Sequence, residues 1–234
     1  MPPSAPRPPG RTVEIPRKFT ARYLRHFQFA ARTIFDVGVY RGTPALYKLF
    51  ADRRLVLIDP LPEAQENVRA LSPGLAFDFI PAALGAAEAT AELKIAKNRA
   101  KSAIPERTPL TAEEIAERRR VQVTTLDRIV AAEAYPEPFG LKLDTEGYEL
   151  EILRGAEEAL RKTEFIITEV SIKKRFVGGY RFSELIAFLG QRGFELIDIL
   201  NFHAGTARYY DCLFLRHDHP MFEGGAGGRR QPPE

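Results

Sequence analysis

A single cysteine, Cys212, is the only thiol in the 234-residue chain. One thiol excludes an intramolecular disulfide and a cysteine metal cluster, and it fits a reducing compartment. Long apolar runs are missing as well: none approaches the roughly 20 residues that a membrane span requires. The stretch from Met1 to Gly10 is rich in proline and lacks the apolar segment of a secretory signal. Together these absences predict a cytoplasmic protein with no membrane partner. An excess of one charge is also lacking. The formal net charge is +3 and the pI about 9.0, and much of the excess lies near the ends, at Arg7, Arg11, Arg17, Lys18, Arg229 and Arg230. Nucleic-acid binding needs basic residues clustered on one face, so no nucleic-acid partner is expected.

What is present is an ordinary globular composition, 44% hydrophobic and 28% charged, sufficient for a core. Residues 1–16 read as a disordered Pro-rich tail and residues 223–234 as a disordered Gly-rich one. Between them, 17–222 carries no linker or repeat and reads as one domain. Strand and helix patterns alternate along it. Strands are expected at 33–37, 54–58, 75–80, 121–124, 139–143 and 164–170, with 194–199 and 209–215 closing the sheet or pairing as a hairpin. Helices are expected at 17–29, 43–51, 63–71, 126–134, 150–160 (interruptible at Gly155) and 182–192. Residues 91–95 alternate like an edge strand, and 98–109 read as a mobile loop. Thr111 with Glu114 three residues on resembles a capping box, so 111–120 is expected to be a polar helix with Glu114 pairing to Arg118. Strands separated by helices of about ten residues imply an α/β fold of the Rossmann type, with a mostly parallel sheet and helices on both faces. In such sheets ligands bind beyond the carboxyl ends of the strands.

Three segments sit at such ends. The first is Asp36-Val-Gly38-Val-Tyr40-Arg-Gly42-Thr43, where a strand turns into a helix. A dinucleotide fingerprint would need glycines at positions 40 and 43; Tyr40 and Thr43 would instead obstruct a pyrophosphate. The loop therefore suits a ligand without phosphates better than NAD or FAD. The second is Asp59-Pro60, some twenty residues beyond the first loop, where a carboxylate can take both hydroxyls of a ribose. The third is Asp144-Thr-Glu146-Gly147-Tyr-Glu149, three carboxylates directly after a buried strand. Burial or like-charge crowding could make one of them a general base; helix capping and dipole complementation are the structural alternative.

These segments resemble the FkbM family of S-adenosylmethionine-dependent methyltransferases. The resemblance rests on the D-V-G-x-x-x-G segment at Asp36, Thr125-Leu-Asp127, the K-x-D-x-E-G-x-E-x-x-x-L-x-G segment from Lys142 to Gly155, and Ile166-Ile-Thr-Glu169-Val. It implies a class I methyltransferase fold whose seven-stranded sheet has an antiparallel last strand. It also implies methyl transfer to a hydroxyl oxygen, often on a sugar or secondary metabolite. By position, Asp36, Gly38 and Gly42 would line the methionine part of S-adenosylmethionine, with Tyr40 and Thr43 in the same loop. Asp59 and Pro60 would hold the ribose, the turn at Ala82–Gly85, with Ala83, would approach the adenine, and Ser102 would come from a covering segment. Val39-Tyr40 stands where many members have Ala-Asn. Asp144 or Glu146 is the expected proton acceptor. No metal is expected, and the partner is a small-molecule or glycan acceptor bearing a hydroxyl group. A non-catalytic nucleoside-binding or scaffold protein on the same fold is the alternative. His203 reads as a surface histidine that could reach substrate, Lys173-Lys-Arg175 as a solvated charge run that could alternatively attract an anionic substrate, Arg118-Arg-Arg120 as the exposed end of a helix, and Phe19, Tyr23 and Phe27 as core or lid.

Overall fold

The computed structural model describes residues 18–201 and 207–222. The expectations for both tails and for His203 lie outside the described residues. Buried apolar runs form the central strands, β1 (Thr33–Val37), β2 (Arg54–Ile58), β7 (Phe139–Leu143) and β8 (Thr163–Ser171). Every residue of β1 and β7 is buried, as a parallel sheet covered on both faces demands. With β3 (Asp78–Ile80), β9 (Phe194–Ile199) and β10 (Tyr209–Arg216) they build a seven-stranded sheet in the order β3-β2-β1-β7-β8-β10-β9. Only β10 runs antiparallel to its neighbours, so the expected antiparallel last strand is present and the end of the chain does close as a hairpin. This is a Rossmann-like α/β fold.

Helices cover both faces. On one side α4 (Leu126–Ala132), α5 (Glu149–Arg154), α6 (Glu157–Arg161) and α7 (Phe182–Gly190) bury Leu126, Ile129, Leu153, Leu160 and Leu185 against Phe35, Leu141 and Ile166. On the other, α1 (Ala21–Leu24), α2 (Pro44–Leu49) and α3 (Glu63–Leu71) bury Leu24, Leu46 and Val68 against Ile34, Leu57 and Ile167. Pro44 opens α2, where its missing N–H costs nothing. Thr125 caps α4, its hydroxyl accepting the Arg128 N–H at 3.0 Å. The leading helix is shorter than its pattern: after α1 a 3-10 turn spans Arg25–Phe27, and Gln28 takes a left-handed φ of 52°. Among the described residues no helix is long and apolar enough to cross a membrane.

The expectation for 111–120 is overturned. Residues Ile115–Thr124 form a long strand, β6, that pairs antiparallel with β5 (Ala89–Ala96) and parallel with the short β4 (Ala83–Leu84) in a separate three-stranded sheet. The capping-box signal yields to period-two alternation, which buries Val121 and Val123 beside Leu93 and Ile95. Thr111 ends a 3-10 turn instead. Glu114 pairs with Lys97, and Arg118 with Glu92 across the hairpin, 2.5 Å away. The 98–109 segment is tied down by hydrogen bonds rather than left loose: Ala103 pairs with Lys94, and Thr108 N–H donates to the Arg175 carbonyl at 2.9 Å.

Candidate active site

Parallel registry sets the carboxyl ends of β2, β1 and β7 side by side, pairing Val37 with both Ile58 and Leu143. The chain leaving β1 is then held from both flanks. Gly38 N–H donates to the Ile58 carbonyl and Asp144 N–H to the Val37 carbonyl, each at 3.0 Å. Gly38 is required twice over. Its φ is +78°, and a Cβ there would stand 1.9 Å from the Asp144 carbonyl oxygen. Tyr40 also adopts a left-handed φ, 40°, a strained conformation for a side-chain-bearing residue. That bend points its N–H at Asp59 Oδ2, 2.9 Å away, while Leu61 N–H donates to Oδ1 at 2.8 Å. Burial pushes the Asp59 carboxyl up, and the bonds from Tyr40 and Leu61 pull it back. The Val39 N–H also contributes a bond to this carboxylate.

Two clefts meet at this turn. The first, of about 630 Å³, is lined by Gly38, Tyr40, Asp59, Pro60, Ala83, Leu84, Ser102, Ile104, Asp144 and Glu146, among others. It unites eight of the sequence-predicted residues, from five separate stretches of chain. The second, wider and more open at about 1350 Å³, is lined by Phe19, Tyr40, Arg41, Gly42, Thr43, Asn98, Lys142 and Asp144. Gly38, Tyr40, Ala100 and Asp144 border both. Gly42 and Thr43 therefore belong to the second cleft. Asp36 reaches neither. It is wholly buried, accepts the Tyr47 hydroxyl at 2.7 Å and faces the Lys142 ammonium at 3.2 Å. That ammonium lies 3.5 Å from Asp144 Oδ2, so Asp36 touches the site through Lys142. Burial alone would pull the Lys142 pKa down, but Asp36 and Asp144 more than offset it and leave it raised.

The two candidate carboxylates differ in surroundings. The Asp144 side chain is 42% exposed at the junction of the clefts. Glu146 is clamped: Arg107 reaches its Oε2 at 2.9 Å and Arg175 at 2.5 Å. Burial pushes the Glu146 carboxyl up while both guanidiniums pull it down. Glu149 accepts N–H bonds from Thr145 (2.9 Å) and Gly147 (3.1 Å) and the Tyr180 hydroxyl (2.7 Å), so it holds the turn together. Arg175 is no solvated charge; it is 4% exposed and pairs with Glu169 as well as Glu146. Sequence reasoning gave Lys142 and Arg107 no role and read Arg175 only as part of a charge run. Lys142 stood inside a quoted motif, Arg107 carried no local signal, and the signal at Arg175 pointed to solvent. Among the described residues no three His, Cys, Asp or Glu side chains are grouped to hold a metal ion.

The FkbM methyltransferase of Methylobacillus flagellatus KT shares this architecture, with a TM-score of 0.52 at 16% identity over 87% of this chain and 48% of that one. The present chain thus spans about half the length of that protein. An S-adenosylmethionine-dependent methyltransferase from Clostridium acetobutylicum ATCC 824 gives 0.46 at 7% identity, covering 87% and 93% of the two chains. Magnesium protoporphyrin IX methyltransferase from Synechocystis PCC 6803, with S-adenosylmethionine bound, gives 0.45 at 10% identity over 84% and 76%. No significantly similar sequence was found among curated proteins. The sequence itself matches the methyltransferase FkbM domain over residues 36–196, which takes in Asp36, Asp59, Asp144, Glu146 and Arg175. The chain belongs to the FkbM methyltransferase-domain family.

Proposed function

We propose that the protein transfers a methyl group from S-adenosylmethionine to a hydroxyl oxygen of a small-molecule or glycan acceptor. The observation that carries this reading is the meeting of two clefts at Asp144, one closed around Asp59 and the other open. S-adenosylmethionine is the cofactor of this family and fold, and we assign it to the narrower cleft, which Asp59 borders. The Asp59 carboxylate on the cleft wall suits ribose hydroxyls, and Ala83, Leu84 and Ile104 give an apolar wall for a flat base. When bound, the cofactor supplies a methyl group on a cationic sulfur.

The chain's own residues do the rest. Gly38 and Tyr40 shape the passage between the clefts, and Ser102 covers the cofactor side. Asp144 accepts the proton of the acceptor hydroxyl at its carboxylate, and the Lys142 ammonium complements that charge. Alignment and proton removal are the two contributions open to the protein here. Glu146, committed to two arginines, orients the turn rather than exchanging a proton.

Calorimetric titration with S-adenosylhomocysteine, with NAD as control, tests the cofactor assignment: the first should bind and the second should not. Failure of the first in folded protein would favour the scaffold reading. Once an acceptor is found, Asp144→Asn should lower kcat/KM by about 100-fold. Full turnover by that variant would remove Asp144 as the base.

A further inference from the structure

The segment after β8 folds back over the carboxylate turn, and Arg175 is its buried anchor. The guanidinium touches Glu146 and Glu169 and lies over the rings of Phe176 and Tyr209, 5.2 and 4.7 Å from their centroids. The carbonyl of the same residue accepts Thr108 N–H at 2.9 Å and the Thr111 hydroxyl at 2.6 Å. Arg107 adds a second guanidinium on Glu146 and donates to the Lys101 carbonyl at 2.8 Å. Residues 105–111 are thereby fastened to 174–177, and the stretch just before them, 99–104, walls the cofactor cleft. On the other side of the clasp, Glu146 belongs to the turn that carries Asp144. That turn bends through left-handed φ values at Glu146 (54°) and Gly147 (94°), and a Cβ on Gly147 would stand 2.2 Å from the Phe176 ring. Arg175, with Arg107 beside it on Glu146, therefore joins the wall of the first cleft to the backbone that aims Asp144.

We propose that Arg175 is a positioning residue for methyl transfer, locking the 99–111 segment to the Asp144 turn so that the cofactor cleft and the acceptor-side carboxylate move as one unit. The role given to the cofactor rests on the methyltransferase reading above. A planar guanidinium can serve two carboxylates and stack on two rings at once; a lysine ammonium cannot. Removing it leaves Glu146 and Glu169 buried with less compensation.

Amide hydrogen exchange of the full chain, free and with S-adenosylhomocysteine, reads the coupling directly. In the wild type, ligand protection should extend from 99–104 to 105–111 and 144–147. Arg175→Met should unprotect 105–111 and 144–147 together in the free protein, abolish that extension, and weaken S-adenosylhomocysteine binding about tenfold. Arg175→Lys should recover part of the affinity. Arg192→Met, which breaks the 3.0 Å contact to Glu157 away from both clefts, is the control for general stability loss. The Thr108→Val/Thr111→Val double variant weakens the loop side alone, removing the hydroxyl bonds of Thr108 to the Lys174 carbonyl (2.8 Å) and of Thr111 to the Arg175 carbonyl (2.6 Å) while the backbone bonds stay. It should unprotect 105–111 while 144–147 stays protected, which keeps the idea testable if Arg175→Met does not fold. The proposal is overturned if Arg175→Met binds within twofold of wild type with the extension intact, or if Arg192→Met at equal Tm loss weakens binding as much. Should wild type bind no S-adenosylhomocysteine, the cofactor reading fails, and exchange in the free protein still decides whether Arg175 couples the two segments.

Discussion

Replacing Asp59 by asparagine removes one charge and one acceptor while keeping the shape of the side chain. In the wild type both oxygens are used by the protein, at 2.9 Å by Tyr40 N–H and 2.8 Å by Leu61 N–H. The amide has only one acceptor oxygen, so one of those N–H groups must face an NH2. An orphaned buried donor costs about 1–3 kcal/mol. Relief of the burial cost that pushes the Asp59 carboxyl up offsets part of it, so the expected stability loss is about 1 kcal/mol. On the ligand side, a charge-assisted bond to one ribose hydroxyl is lost, about 2 kcal/mol, or roughly 30-fold in affinity. Calorimetry with S-adenosylhomocysteine reads the second effect and thermal unfolding the first. A 2′,3′-dideoxyribose analogue, which offers no hydroxyls, should bind both proteins with similar affinity, isolating the pairwise contribution. Wild type and Asp59→Asn binding S-adenosylhomocysteine within threefold of each other would refute the ribose assignment.

Gly38→Ala should destabilise the fold by more than about 3 kcal/mol in denaturant titration and abolish cofactor binding, because the new Cβ meets a backbone oxygen at 1.9 Å and φ is +78°; a variant of unchanged stability would show that the turn can open freely. Tyr47→Phe should cost about 1–3 kcal/mol, since the buried Asp36 loses its 2.7 Å hydroxyl donor; an unchanged Tm would mean that Lys142 alone satisfies Asp36. Burial, with the nearby Asp144 charge, pushes the Asp211 carboxyl up to about 7, against the pull of Lys142. A raised acid pKa means that the folded state holds the proton more tightly than the unfolded chain, so this contribution to stability is lost as pH rises from about 4 to about 7. Asp211→Asn should accordingly gain stability relative to wild type at pH 8 more than at pH 4; parallel stability curves would refute the shift.

Much of the fold was legible because each parallel strand is short, apolar and bounded by turn residues, and each helix repeats its apolar positions. The strand ends then pointed to the candidate site, since Asp59 and Asp144 each stand where a buried strand stops, whereas Asp36 lies within β1 and reaches neither cleft. The misreadings have one cause. Residues 111–120 satisfy a helical start signal locally, but β5 offers a partner that extends the strand expected at 121–124 back to Ile115, and pairing with a distant strand leaves no trace in the polar 115–120 window. Arg175 sits in a run of three basic residues that looks solvated, yet it is buried because Glu146 and Glu169 converge on it from two other stretches of chain.

The sequence by itself determined the α/β class, the place of the carboxylates at strand ends, and the family. Periodicity, turn chemistry and motif spacing are properties of neighbouring residues. Tertiary structure alone decided how each carboxylate is engaged. Asp36 is spent on Tyr47 and Lys142, Glu146 on two arginines and Glu149 on the turn's own N–H groups, while Asp144 remains open at the junction of the clefts. Exposure and partner count are set by groups far apart in the chain, and they exist only once the sheet has brought those groups together.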